Sequence, residues 1–177
     1  TEAPRRPAPD SRRPASSREE LHFRSAMELH ELLFSNRTLA IDQALQGLSR
    51  AALPHYSAGE EAANRLRLER LFDLCLQCIA EHSLLPICDH ARQVAGERHR
   101  EGFHFQEVHT AFNVLEEVIW RLITAHLQPP QLADALGRAS TVLGAGKQAL
   151  AIEFVRLAGD PDPAESLDLT ALFKGTT

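Results

Sequence analysis

Four cysteine and histidine residues of this sequence have types and spacing that could bind a metal. Cys75 and Cys78 form the C-x-x-C of "CLQC", and Cys88 and His90 follow within twelve residues of Cys78. Zinc prefers four such ligands, and paired thiols also support redox chemistry. The same positions fall on the apolar faces of two predicted helices, where free cysteine packs as a small buried hydrophobe. We therefore favour burial in a core, and a zinc or redox site stays open as the alternative.

A second group of candidate ligands lies in "RHREGFHFQEVHTAF", residues 98–112, which contains His99, His104 and His109. Two side chains on one helix share a metal when they are three or four residues apart. His104 and His109 are five apart, a rotation of about 140°, and a predicted helix end separates His99 from them. The spacing favours histidines at the edge of a helical core, with a haem ligand at His109 as the alternative.

The chain carries no motif of a familiar catalytic centre. It lacks G-x-S-x-G, H-E-x-x-H, a P-loop and G-x-G-x-x-G. Its paired carboxylates, such as Glu116 and Glu117, are neighbours along predicted helices, where adjacent side chains point about 100° apart and cannot share a proton. We therefore expect a protein that is not an enzyme, with no catalytic residue and no cofactor.

Helices must position these residues, because almost every ordered segment repeats its apolar residues with helical period. The clearest case runs from Phe105 to Leu122, where apolar residues recur at steps of three and four. Short connections, including one at Pro54 and the segment "QPPQ", separate the helices, so successive helices should be antiparallel. The predicted fold class is all-α, a single bundle of five or six antiparallel helices.

One of these connections predicts a packed corner. Gly102 can end a helix in the left-handed conformation of a C-terminal cap, and Phe103 follows where a Schellman motif takes an apolar residue. Phe105 and Phe112 should then enter the core. We call these four residues, Gly102, Phe103, Phe105 and Phe112, the structural corner.

Two glycines inside the last predicted helix indicate a second tight contact. Gly144 and Gly146 each cost about 1 kcal/mol relative to alanine in a helix interior. This cost predicts that another helix approaches closely at both positions.

The charge is divided unevenly along the chain. Residues 1–18 contain five arginines against two acidic residues, a net of +3, so the remainder carries −8 within a total of −5. We expect a disordered Pro/Arg-rich tail over 1–18, a helical sensory or regulatory bundle over 19–159, and a C-terminal tail over 160–177. We expect that last tail to include a short docking helix around Leu169, Leu172 and Phe173. An acidic bundle does not suit nucleic acid, whose phosphates require a basic face.

The compartment is predicted from what the sequence lacks. No apolar run reaches the length of about 18 residues that a membrane helix needs, and residues 1–20 contain no apolar segment of a secretory signal. An odd number of cysteines, three, indicates free thiols in a reducing compartment. We therefore expect a cytoplasmic protein without a membrane partner.

The stretch "ARQVAGERHREGFHFQEVHTAFNVLEEVIW", residues 91–120, resembles the pattern A-x-x-x-A-x-x-R-x-x-x-G-F-x-x-x-E-V-x-x-A-(F/Y)-x-x-L-x-x-V-(I/L)-W. The matching residues are Ala91, Ala95, Arg98, Gly102, Phe103, Glu107, Val108, Ala111, Phe112, Leu115, Val118, Ile119 and Trp120. The chain is similar there to the helical N-terminal domain of RsbRD-type co-antagonists in the bacterial general stress response. "LPHYSAGEE", residues 53–61, also resembles the loop before the third helix of that family.

This resemblance implies a cytoplasmic, all-α sensory domain that forms a homodimer and acts on a protein partner or a fused kinase or STAS output domain. The wider group includes globin-like folds without haem, and the family gives no catalytic residue to carry over. Our leading hypothesis is a non-catalytic signalling domain that senses an input or binds a partner and transmits it through helix packing. The alternative is a small-molecule or metal-binding helical protein that holds zinc or haem.

Overall fold

A computed structural model describes residues 16–51, 60–129 and 131–159 of the chain. Its helices are α1 (Ser16–Ser35), α2 (Arg37–Ala51), α3 (Glu61–Glu81), α4 (Leu85–Arg100), α5 (Phe105–His126) and α6 (Gln131–Leu157). The predicted all-α bundle is confirmed, and no strand occurs in these three ranges. None of the six described helices combines the length and hydropathy needed to cross a bilayer.

Several sequence predictions fall outside the described residues. Residues 1–15 hold most of the predicted basic tail, and residues 160–177 hold the predicted docking helix. Residues 52–59 hold most of the connection that resembles the family loop.

The helix α5 lies at the centre of the bundle and packs against each of the other helices. It begins with a reciprocal pair of hydrogen bonds: the His104 backbone N–H donates to Glu107 Oε2 at 2.9 Å, and the Glu107 N–H donates to the His104 carbonyl at 3.0 Å. Its apolar stripe, which includes Phe112, Leu115 and Ile119, is buried. Each such side chain contributes about 1.5–3 kcal/mol by leaving water. The stripe therefore makes α5 the element around which the others are arranged.

The helices α4 and α6 run parallel to each other and antiparallel to α5. Cys88 lies beside Ala145 and His99 beside Phe154, so α4 and α6 advance in the same direction. Between α5 and α6 the order is reversed, because Trp120 Nε1 donates to Ser140 Oγ at 3.0 Å while the Phe105 and Phe154 rings lie 5.7 Å apart. This arrangement follows from the short connections that the sequence predicts.

Only one of the two interior glycines of α6 lies at a tight contact. A Cβ added to Gly146 would lie 2.7 Å from Phe112 Cε1 and 3.1 Å from Ile87 Cγ1. The missing side chain therefore lets α4, α5 and α6 meet closely. The same prediction for Gly144 is wrong, because a Cβ there would have nothing within 4 Å.

Ion pairs and hydrogen bonds link α2 to α3 and α1 to α6. Arg37 on α2 forms a two-pronged pair with Asp73 on α3, with Nε–Oδ1 and Nη2–Oδ2 distances of 2.7 and 2.9 Å. Ser25 on α1 donates to Asp134 Oδ2 at 2.7 Å, and the buried Arg138 also donates to that oxygen at 2.7 Å. The hydroxyl of Ser25 therefore links α1 directly to the first turns of α6.

Candidate functional site

Cys75 and Cys78 lie three residues apart on α3, and both are buried in the core. Burial raises the pKa of the Cys75 thiol, and burial also raises the pKa of Cys78, to about 11. A thiol must lose its proton to bind zinc or act as a nucleophile. At neutral pH these two side chains therefore behave as small apolar packing groups.

Cys88 and His90, the other two candidate zinc ligands, lie on α4. The Cys88 thiol points to the Ala145 carbonyl of α6, with an S–O distance of 3.7 Å, and burial raises its pKa. Burial, followed by the nearby Arg70 cation, lowers the pKa of His90. Two residues apart on a helix, these side chains point in different directions. In the described part of the chain, no three His, Cys, Asp or Glu side chains converge as a metal site would require.

The three histidines of residues 98–112 occupy separate surroundings. His99 is exposed with its ring edge towards Phe154, and His104 precedes α5. His109 lies beside the Phe105 ring at 5.2 Å, with Nδ1 3.1 Å from Asn113 Nδ2. Burial, followed by the Lys147 cation, lowers the pKa of His109. The structure thus distributes these rings along the surface of α4 and α5.

The structural corner joins α4 to α5 through a Schellman motif. Gly102 has a φ of +83° and its N–H donates to the His99 carbonyl at 3.2 Å. The Phe103 N–H donates to the Arg98 carbonyl at 2.9 Å, and the Phe103 side chain is buried. Glycine suits this position because other residues are strained at positive φ.

The remaining two corner residues pack along α5. Phe105 is half-buried against Phe154 of α6, and Phe112 is buried beneath Gly146. The corner therefore fixes the angle at which three helices meet.

Two arginines lie against the ring of Phe103, and a buried glutamate lies nearby in the sequence. The guanidinium carbons of Arg98 and Arg67 lie 4.9 and 5.8 Å from its ring centroid. Arg67, on α3, also donates to the buried Asn64 Oδ1 at 2.8 Å. The buried Glu107 carboxylate accepts the backbone N–H at the start of α5, as described above. This arrangement positions helix ends through cation–π contacts and hydrogen bonds.

Sequence reasoning missed Asn64 and Arg67. One signal for Asn64 was available, since a polar residue there stands on the face of α3 that carries Leu68 and Leu71. A polar side chain inside an apolar stripe needs a hydrogen-bond partner when it is buried. For Arg67, by contrast, only the tertiary contact with Phe103 sets it apart from other surface arginines.

A different surface, on α1, contains exposed apolar side chains beside a groove. Met27 and Phe34 are 49% and 62% exposed, and Phe34 stacks on the ring of His30 at 6.1 Å. The groove lies between α1 and the end of α3. Its lining includes Ala26, Met27, His30, Glu31, Ile79 and Ala80.

Comparison with known families identifies the chain. The family model described as the RsbT co-antagonist protein rsbRD N-terminal domain matches residues 40–156, about two thirds of the sequence. The match includes the structural corner and the charged side chains around it, whereas α1 precedes it. No curated protein matches the chain significantly. The matched family consists of stress-response signalling proteins with a regulatory role, as the sequence resemblance implied. The chain therefore belongs to the RsbT co-antagonist rsbRD N-terminal domain family.

Proposed function

We propose that this chain is a non-catalytic signalling domain of a bacterial stress-response pathway. It acts in the cytoplasm, where it senses an input or binds a partner protein and passes the change on through helix packing. The observation that carries the proposal is the family match over residues 40–156. Its motif residues Arg98, Gly102, Phe103 and Glu107 all serve to join helices.

The chemistry of the described side chains supports a role without catalysis. The thiols of Cys75 and Cys78 have raised pKa values because they are buried. Among the carboxylates, Glu116 pairs with Lys147 at 2.7 Å, and Glu107 accepts a helix-start amide. These groups are engaged in packing and in ion pairs, so they are poorly placed to attack or protonate a substrate.

The helix α6 is our candidate for transmitting the signal. It has 27 residues, which gives a length of about 40 Å. Near its start it is linked to Ser25 of α1, and at Gly146 it packs tightly against α4 and α5. Close-packed interfaces switch between discrete arrangements and do not deform smoothly. A ligand or partner that binds one arrangement better would therefore shift the position of α6.

We further propose that the domain forms a homodimer and acts on a kinase or STAS protein, either fused to it or separate. The family description names RsbT, so RsbT or a protein related to it is the first candidate for the pathway partner. Sedimentation velocity at high micromolar concentration tests the dimer. A chain that remains monomeric there would contradict this part of the proposal.

Partner binding and transmission can be tested together. The purified chain is titrated calorimetrically with the purified kinase or STAS protein encoded beside its gene, and we expect saturable binding. Gly146→Ala adds a Cβ against Phe112 and should change the affinity, whereas Gly144→Ala enters open space and should not. Circular dichroism checks that both variants stay folded. Equal affinities of the parent chain, Gly146→Ala and Gly144→Ala for the partner would contradict transmission through α6.

A further inference from the structure

The helix α1 has two apolar faces, and the bundle covers only one of them. Its inner face places Ala26, Leu29 and Leu33 in the core. Its outer face carries Met27 and Phe34, seven residues apart and both substantially exposed, with the half-buried His30 between them. Seven residues are close to two helical turns, so these side chains form one stripe. The packing of α1 onto the bundle does not account for these two exposed apolar side chains.

The groove beside this stripe has a volume of about 220 Å³ and a mainly apolar lining, which suit an aromatic side chain. Ala26 and Ala80 contribute only methyl groups, so the space between α1 and α3 stays open, while Met27 and Ile79 give it apolar walls. His30, Glu31 and His82 add polar atoms to this mainly apolar lining. Mainly apolar surface is typical of the core of a protein interface.

We propose that this surface is the twofold interface of the dimer, in which Phe34 of each protomer inserts into the α1–α3 groove of the other. The inference rests on the homodimer proposed above and names its contact surface. Met27 and Phe34 are equidistant along α1 from the peptide that joins His30 to Glu31. A twofold axis crossing α1 near that peptide sets the two α1 helices antiparallel and brings each Phe34 opposite the partner's groove.

The surface therefore has the self-complementarity that a twofold interface requires, because the same patch must supply both the projection and the hole. In this arrangement Phe34 of one protomer also meets the thioether of the partner's Met27, which adds a favourable sulphur–aromatic interaction. The α1 part of this surface precedes the family match, whereas its α3 wall, with Ile79 and Ala80, lies within it.

The terminal segments of the chain fit the groove less well than a second copy does. Residues 1–15 contain no aromatic and no large aliphatic side chain. Residues 160–177 contain Leu169, Leu172 and Phe173, but they follow the far end of α6. That end lies 23 residues beyond Asp134, the residue bonded to Ser25 at the groove's end of α1, which corresponds to about 35 Å of helix. The 16 residues from Leu157 to Phe173 span at most about 58 Å, so a return across this distance would restrict them, at a cost in conformational entropy.

The interface is tested on the whole chain by sedimentation velocity from low to high micromolar concentration. Phe34→Glu should raise the dimer dissociation constant by about thirtyfold or more, the loss typical of an interface hot spot. Leu66→Glu is the matched control, since Leu66 is 67% exposed on α3 but precedes Ala80 by fourteen residues, or about 21 Å of helix, and it should leave the dissociation constant unchanged. Phe34→Ser, checked by circular dichroism, repeats the test without adding charge.

A mixing experiment tests the projection and the groove together. Ala80→Lys places a cation in the groove, and this variant alone should dimerise as weakly as Phe34→Glu, so both are compared at a concentration at which each is monomeric. Mixed in equal amounts, the two variants should form a heterodimer, because one site pairs Glu with Lys and the other keeps the original Phe34 contact. A dimer that survives Phe34→Glu, a Leu66→Glu variant that also dissociates, or a mixture that stays monomeric would each overturn this interface. A monomeric parent chain would instead defeat the dimer of the proposed function.

Discussion

Phe112 on α5 and Phe34 on α1 are the same residue type in opposite surroundings. Phe112 is 3% exposed and lies against the backbone of α6 at Gly146, whereas Phe34 is 62% exposed. Both belong to regular amphipathic helices, so helical period alone does not distinguish them. The difference shows that the bundle has a closed side, built on α4, α5 and α6, and an open apolar side on α1.

Topology explains this contrast. α5 is surrounded by the other five helices and has apolar neighbours along most of its length. α1 packs on one side only, against α3, α5 and α6. Apolar side chains on the other side of α1 stay in water unless another molecule covers them. We therefore expect the free energy of unfolding to depend mainly on the closed side, and dimer formation to depend on the open side.

The largest expected effect compares the two phenylalanines directly. Phe112→Ala should lower the free energy of unfolding by about 3–5 kcal/mol, because it removes buried surface and leaves a cavity. Phe34→Ala should change it by no more than about 0.5 kcal/mol when the chain is dilute enough to be monomeric. Urea denaturation followed by circular dichroism measures both. Similar losses for the two variants would contradict the division into closed and open sides.

The next effect concerns the contact that closes the packed side. Gly146→Val should destabilise the fold by about 2–3 kcal/mol, because its Cβ and methyl groups collide with Phe112 and Ile87. Gly144→Ala should stabilise it by about 0.5–1 kcal/mol, because alanine lowers the entropy cost of helix formation and the added methyl meets nothing within 4 Å. Thermal unfolding gives both values. Changes of the same sign would mean that α6 is packed differently around these glycines.

These glycines also mark how far the sequence can predict the fold. The period of Phe105 to Leu122 was sufficient to predict α5, and short connections were sufficient to predict antiparallel neighbours. Which of two glycines, Gly144 or Gly146, meets another helix depends on the rotation of α6 about its axis. Two residues turn the helix by about 200°, so the tertiary arrangement alone decides between them.

The same limit applies to apolar residues and to the candidate site. Leu39 and Leu66 fit the helical stripes of their sequences, yet both are exposed. Gly102 and Phe103 were predictable because a Schellman motif is local in sequence. The approach of Arg67 from α3 to Phe103 was not, since it joins residues that are distant in the chain. Local geometry can be predicted from short patterns, whereas contacts between helices require the packed structure.

A smaller effect tests how α1 is attached to the closed side. Ser25→Ala removes the hydroxyl that donates to Asp134 and should cost about 1 kcal/mol, the net value of one hydrogen bond. Hydrogen exchange of α1 amides should become faster, because this bond links α1 to α6. Ser49→Ala, at an exposed position on α2, serves as the control and should alter neither quantity. Unchanged α1 exchange in Ser25→Ala would show that apolar packing alone holds the helix.

The smallest effect is a dependence of stability on pH. Burial, with the Lys147 cation as the second cause, lowers the pKa of His109, and Glu116 partly opposes this shift. Burial also lowers the pKa of His90, with Arg70 as the second cause. The unfolded chain, with ordinary histidines of pKa about 6.5, therefore binds more protons than the folded chain as the pH falls below that value. The part of the stability that comes from keeping these two rings neutral is fully present above about pH 6.5. It is lost as the pH falls towards their lower pKa values in the folded protein.

The variant His109→Gln should make this loss less steep, since it removes one of the two histidines whose pKa folding lowers. The slope from a single proton cannot exceed about 1.4 kcal/mol per pH unit, so the change is modest and needs urea denaturation at closely spaced pH values. His90→Gln should act similarly, and the double variant should lose more of the slope than either single change. His109 is partly buried on α5 beside Phe105, and the Lys147 cation of α6 acts on its pKa. A slope that stays the same in all three variants would show that these rings reach water, and the packing around Phe105 and Lys147 would then be looser than described.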